Sequence, residues 1–318
     1  MSLSPLRVNT DRLREDIEAL SHIGLREDQG IYRMAFSDDD MAARDWLCLR
    51  ITDSNLEIYQ YGAANIHARL GWNDHIPSVI AGSHIDTVPR AGHLDGALGV
   101  VCALEALRII RESHAGLKRP LEAISFTDEE GHFGGMFGSQ AFAGLVTPDY
   151  LHNAANLDGI TLTDAMKKQG LDAREALHAQ RNPESIHAYV ELHIEQGPVL
   201  DRQGISVGIV DAITGLFKWE ITLGGSANHA GTTPMDMRAD GFQGLAVFAG
   251  HIDRVLSEYG SPNSTATIGR VELNPGAANV IPGQAVFSLV VRVTDSVILQ
   301  SLAEALRRSL SAIARRRS

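Results

Sequence analysis

Apolar residues recur along the chain with two different periods, and the change of period marks two regions. From Asn9 to Ile23, Leu13, Ile17, Leu20 and Ile23 fall at spacings of four, three and three, a single apolar helical stripe. A second helix is predicted over Asp38 to Ile51, ahead of an extended region over Leu56 to Ala68. Ser78 to Ser83 is short and apolar, which reads as a buried strand. Gly96 to Arg111 puts Val101, Leu104 and Leu107 on one helical face, and Leu121 to Thr127 and Ile186 to Leu192 read as two more short strands. Strands alternating with helices predict an α/β layer around a central, mostly parallel sheet.

Beyond about residue 210 the period falls to two. Phe217, Trp219, Ile221 and Leu223 alternate with Lys218, Glu220, Thr222 and Gly224, the pattern of a half-buried strand in an antiparallel sheet. Arg238 to Leu256 reads as a helix with Phe242, Leu245, Phe248 and Ile252 inward. Strands near Ala266 to Leu273 and Gln284 to Val293 follow, then a helix from Ser296 to Ala314. The order β-α-β-β-α describes a small α+β domain of ferredoxin-like type without its closing strand. The expected division is therefore residues 1–210 and residues 211–318.

Composition narrows function more than fold. Lys and Arg number 28 against 39 Asp and Glu, a net charge of −11 that disfavours nucleic acid and anionic membranes as partners. No run approaches the roughly 18 apolar residues of a membrane span. The polar start, Met1 to Arg14, lacks the apolar core of a signal peptide. Cys48 and Cys102 are too few for a disulfide framework or a thiolate metal cage. The expectation is a cytoplasmic protein.

Three clusters carry candidate chemistry, each at the end of a predicted strand. The first is Gly82-Ser83-His84-Ile85-Asp86-Thr87 with His93-Leu94-Asp95-Gly96. Open α/β sheets bind ligands at the carboxyl ends of their strands, where His84 stands. Asp86 could accept the other imidazole N–H, and Asp95 could bridge two cations. The plainer alternative is a satisfied strand-end histidine and a helix N-cap. The second is Asp128-Glu129-Glu130-Gly131, where one carboxylate could hold a metal and its neighbour move a proton; the alternative is a solvated acidic turn. The third is Glu191-Leu192-His193-Ile194-Glu195-Gln196-Gly197. Jointly they favour a hydrolytic site with oxygen and imidazole ligands for Zn, Mn or Co. His67, His93 and His132 are read as partly exposed and without a role.

With Asn228-His229-Ala230-Gly231-Thr232-Thr233-Pro234-Met235 and Asn279-Val280-Ile281-Pro282-Gly283 added, these motifs resemble the zinc-dependent amidohydrolases of the M20 clan. Within that clan they resemble the hydantoinase/carbamoylase group: N-carbamoyl-L-amino acid hydrolases, allantoate amidohydrolases and β-ureidopropionases. It implies a zinc-peptidase-like catalytic domain, a smaller lid and dimerisation domain over residues 211–318, and two divalent metals per subunit. It implies that His84 and His193 bind one metal, Glu130 the other, and Asp95 both. Glu129 would be the general base and Asp86 would orient His84. Gln196 would touch a small carboxylated carbamoyl or ureido substrate, His229 and Asn279 would stabilise the oxyanion, and Arg292 would grip the substrate carboxylate. Lys218, on the first strand of the smaller domain, could also face the cleft; a solvated strand lysine is its alternative.

One departure sets a further expectation. Members of the group continue with more strand and helix and a last histidine ligand, whereas Val293 to Ser318 contains no histidine. The second metal would then keep only Asp95 and Glu130, with close to one metal held tightly per chain. The competing reading, from another class, is a non-catalytic homodimeric remnant that binds a metal or an amino acid.

Overall fold

The computed structural model describes residues 6–317; the first five residues of the polar start lie outside the described residues. The chain divides into two compact units, Met1–Ile205 and Ser206–Ser318.

The first unit opens with α1 (Thr10–His22) and α2 (Asp38–Asp53). Each begins at a side-chain cap: Asn9 accepts from the Arg12 N–H and Ser37 from the Asp40 N–H. Strands β1 (Glu57–Tyr61), β2 (Asn65–Leu70), β3 (Ser78–His84), β4 (Leu121–Phe126) and β5 (Ile186–Val190) form one sheet in the order β1-β2-β4-β3-β5. Helix α3 (Ala97–Glu112) crosses from β3 to β4. Strand β3 runs parallel to β4 and to β5, but β2 runs antiparallel to both β1 and β4. The sheet is therefore mixed, and its parallel half is the half that carries the motifs.

The extended stretch expected over 56–68 is a hairpin. Its turn, Gly62-Ala63-Ala64, holds Gly62 and Ala64 at φ +58° and +64° and buries both alanines, so it carries no polar turn signal. Leu20, Leu47, Ile51, Val101, Leu104 and Leu107 from the three helices close over Ile66, Ala68 and Ala123 of the sheet. Each such buried aliphatic side chain contributes about 1.5–3 kcal/mol. Three short helices, α4 (Phe137–Phe142), α5 (Pro148–Asn153) and α6 (Leu162–Lys168), lie between β4 and β5 around a second core that includes Phe36, Phe137, Leu162 and Met166. Helix α7 (Val199–Gln203) follows β5.

His67 corrects the sequence reading. It is fully buried on β2, and its Nδ1 lies 3.1 Å from Glu122, which also receives Ser78 Oγ, Arg69 Nε and Arg181 Nη2. Burial alone would raise the Glu122 carboxyl, but the hydrogen bonds from His67 and Ser78 and the charge of Arg181 hold it down to about 2.

The second unit has β6 (Gly215–Gly224), α8 (Gly241–Tyr259), β7 (Thr265–Thr267), β8 (Val271–Asn274), β9 (Gln284–Val293) and α9 (Ser296–Arg317). Strand β9 is central, with β6 on one side and β7 and β8 on the other, all antiparallel. The single strand expected near 266–273 is thus two short ones. Phe287, Leu289, Val291 and Val293 pack with Leu245, Phe248 and Ile252 of α8 and Leu302 and Leu306 of α9. Among the described residues no helix is long and apolar enough to cross a membrane.

Candidate active site

The parallel register brings the two histidines together. Ala81 of β3 is paired with Val190 of β5, and His84 and His193 each stand three residues further on. Their ring centres are 5.9 Å apart. His193 lies beyond the end of β5 rather than on it. On the other side of β3, His84 is paired with Phe126, so Thr127 to Glu130 leave the sheet beside it.

Each imidazole has its tautomer fixed by a backbone carbonyl. His84 Nδ1 lies 3.0 Å from the Asp86 carbonyl oxygen and His193 Nδ1 2.9 Å from that of Ile194. A carbonyl only accepts, so Nδ1 carries a proton in both rings, and in the neutral form each Nε2 keeps its lone pair. Asp95 stands 3.4 Å from His193 Nε2 through an Oδ1 atom that is buried without a hydrogen-bond partner. Its Oδ2 accepts from Gln196 Nε2 at 2.7 Å. One ligand atom each from His84, Asp95 and His193 lies within 4.8 Å of the others. Two imidazole lone pairs and an orphaned carboxylate oxygen are all electron donors, and a cation is what such a set lacks.

The backbone makes room for this cluster. Gly96 has φ +63°, and a Cβ there would lie 2.4 Å from His84 Nε2. At Gly99 a Cβ would meet the Leu192 carbonyl oxygen at 2.4 Å, so that glycine lets α3 lie against the chain leading to His193.

The acidic pair is held just as closely. Asp128 is buried with φ +54° and accepts from the His132 and Phe133 N–H groups, which turns the chain directly after β4. The Asp86 carboxylate accepts from the Glu129 and Glu130 N–H groups at 3.3 and 3.1 Å. Asp86 thus holds His84 through its backbone oxygen, while its carboxylate, 3.8 Å from that ring, organises the acidic turn. Glu129 receives Ser139 N–H on one oxygen and Ser139 Oγ–H on the other, both at 2.8 Å. Glu130 Oε1 lies 3.9 Å from His84 Nε2.

Crowding raises these acids. Burial pushes Glu129 up to about 7 against the bonds from Ser139, and burial with the charge of Asp86 pushes Asp128 up to about 8. Burial and the Asp95 and Asp86 carboxylates also raise Glu130. Such a concentration of negative charge is what a bound divalent cation relieves.

In the second unit, His229 pairs with Val280 across an isolated bridge, and the Ala230 N–H donates to the Asn279 carbonyl at 2.9 Å. These two residues therefore stand on adjoining, exposed loops. His229 Nδ1 accepts from the Gly231 N–H at 3.1 Å, so the neutral ring keeps its proton on Nε2 as an outward donor. Arg292 and Lys218 are exposed on the sheet face away from α8 and α9, opposite Leu216 and Val290 respectively. Arg292 is at the far end of β9 from the Asn279 loop.

The model of peptidase family M20/M25/M40 matches residues 80–314. The chain belongs to this family. It is 35% identical to an N-carbamoyl-L-amino acid amidohydrolase of Geobacillus stearothermophilus over 98% of its own length and 76% of that relative's. It is 34% identical to an allantoate amidohydrolase of Escherichia coli strain K12, over 95% of this chain and 73% of that one. A solved amidase of the hydantoinase/carbamoylase family from Burkholderia vietnamiensis superimposes with a TM-score of 0.86 at 31% identity, covering all of this chain and 76% of that one. The mixed-sheet α/β architecture is thus that of carbamoylase-type M20 structures.

Sequence reasoning missed one contributor to this M20 site. Ser139 clamps Glu129 from α4, ten residues away, and no local motif announces it. Gln196, expected to contact substrate, has φ +55° and donates its side-chain amide to Asp95.

Proposed function

We propose that the chain is a metal-dependent hydrolase of carbamoyl or ureido amide bonds in small carboxylated substrates, with N-carbamoyl-L-amino acids first and allantoate or β-ureidopropionate as alternatives. The observation that carries the reading is the orphaned Asp95 oxygen beside two imidazoles whose Nδ1 atoms are engaged, next to a raised, half-buried carboxyl. His84, Asp95 and His193 would hold one divalent cation, and Asp95 with Glu130 a second. A cation there supplies Lewis acidity toward the scissile carbonyl and lowers the pKa of water toward neutrality.

The chain's own residues perform the rest. Glu129, as carboxylate, takes a proton from the water that adds to the carbamoyl carbon; it returns that proton to the leaving nitrogen as the C–N bond breaks and ammonia departs. Ser139 keeps both Glu129 oxygens in place, and Asp86 holds the turn beneath them. His229 Nε2–H and the Asn279 amide would donate to the developing oxyanion. Arg292 would take the substrate carboxylate in its planar fork, with Lys218 as an additional positive charge; because Arg292 and the Asn279 loop stand at opposite ends of β9, the two would reach one substrate from different copies of the homodimer. Gln196 would steady Asp95 and offer its carbonyl oxygen to the substrate. The homodimer would form through residues 211–318, where the ten-residue β6 pairs with β9 alone among the described residues.

The test is ammonia release from a panel of N-carbamoyl-L-amino acids, allantoate and β-ureidopropionate, with added Zn or Mn and again after chelation. Turnover on at least one substrate that stops on chelation supports the reading. Chelator-insensitive turnover, or none on any of them with metal loaded, refutes it.

A further inference from the structure

A second cleft opens in the first unit, on the hairpin side of its sheet, with a volume of about 580 Å³. None of its lining residues belongs to the metal cluster. One wall is a ladder of rings and guanidinium groups. Arg69 lies 3.6 Å from the Tyr59 ring centre and 3.7 Å from that of Trp72, and Arg181 lies 4.9 Å from Trp72. Stacking of this kind holds the forks in place before any ligand arrives.

Both arginines are only partly used. Arg69 Nε and Arg181 Nη2 donate to buried Glu122, Nη2 also reaches Ser78 Oγ, and Arg181 Nε donates to Ser185. Both Nη atoms of Arg69 and Nη1 of Arg181 have no hydrogen-bond partner among the described residues. Two carboxylates line the same cleft. Asp74 spends Oδ1 on the Trp72 indole N–H at 2.9 Å, while its Oδ2 and the whole Glu57 carboxylate are unengaged among the described residues. A simple anion would be repelled by the acids and a simple cation by the arginines; a small zwitterion satisfies both.

We propose that this cleft binds a free α-amino acid, its carboxylate on Arg69 and Arg181 and its ammonium on Asp74 and Glu57. The site is independent of which bond the metal centre cuts. The experiment titrates the common amino acids one by one into the full chain and follows both heat and the fluorescence of Trp72, with a Trp72→Phe variant to assign the signal. At least one amino acid is expected to bind saturably with a Kd below about 1 mM. Its N-acetyl derivative and its amide should each bind about tenfold more weakly or worse, because each lacks one of the two charges. Arg181→Gln should lose a similar factor. The double variant Glu57→Gln/Asp74→Asn should do so too; it changes only exposed positions, so the fold stays intact if Arg181→Gln fails to fold. Absence of saturable binding by any amino acid up to about 10 mM overturns the proposal. So does equal binding of the acetylated form, or unchanged affinity in the double variant.

Discussion

A Gly96→Ala substitution adds one methyl group beside His84 and removes no ligand. Gly96 has φ +63°, where alanine costs roughly 1–2 kcal/mol. The new Cβ would stand 2.4 Å from His84 Nε2 and Cε1, about 1 Å inside ordinary contact. The ring cannot simply slide, because His84 is buried and its Nδ1 is tied to the Asp86 carbonyl oxygen at 3.0 Å. Nε2 must therefore leave its place in the cluster with Asp95 and His193. Misplacing a ligand in this way should weaken zinc binding by about 100-fold, the upper end for losing an orienting partner. The metal-free protein should lose only roughly 2–8 °C in Tm. Competition against a chromogenic chelator measures the affinity, and calorimetry the Tm. If Tm falls as expected while zinc affinity stays that of the parent, His84 Nε2 is not a ligand and the cluster has been misread.

Other perturbations separate the remaining roles. Glu129→Gln should lower turnover by about 100-fold or more with metal content nearly unchanged, whereas Glu130→Gln should lose metal together with turnover; equal metal loss in both would mean the two carboxylates are interchanged. Arg292→Lys keeps the charge but not the fork, so KM should rise about tenfold for carboxylated substrates and hardly at all for simple amides. Asp40 is buried at the start of α2 and burial raises it to about 6. Because its folded value lies above the ordinary one, the stability it contributes is complete below about pH 4 and is lost as pH rises through about 6, a change of about 3 kcal/mol. Denaturant unfolding at pH 4 and at pH 7 should show the parent losing about 3 kcal/mol more than Asp40→Asn over that interval.

The parts of the fold written in strong periodicity were legible, and the parts set by neighbours were not. Phe287, Leu289, Val291 and Val293 alternate so regularly that β9 and its buried face follow from the sequence. The Gly62-Ala63-Ala64 turn is hidden because its residues are as apolar as the strands beside it. His84 and His193 could be placed at strand ends, but that they meet depends on the register of β3 against β5, which no local pattern states. The same holds for Ser139, whose bond to Glu129 is a consequence of how α4 returns to the sheet, and for His67, whose burial is decided by Glu122 on the neighbouring strand. Asp86 could be placed beside His84, but that its backbone oxygen makes the contact is invisible to residue-type reasoning.

The account rests on His84, Asp95 and His193 holding a divalent cation on which hydrolysis depends. The direct measurement takes the protein and its His193→Ala variant, loads both with zinc or manganese, dialyses them together, and determines bound metal by elemental analysis alongside ammonia release from an N-carbamoyl-L-amino acid. The account predicts metal retained and ammonia released by the parent, with both lost in a variant whose unfolding shows it still folded. A folded variant that keeps the parent's metal content would contradict it.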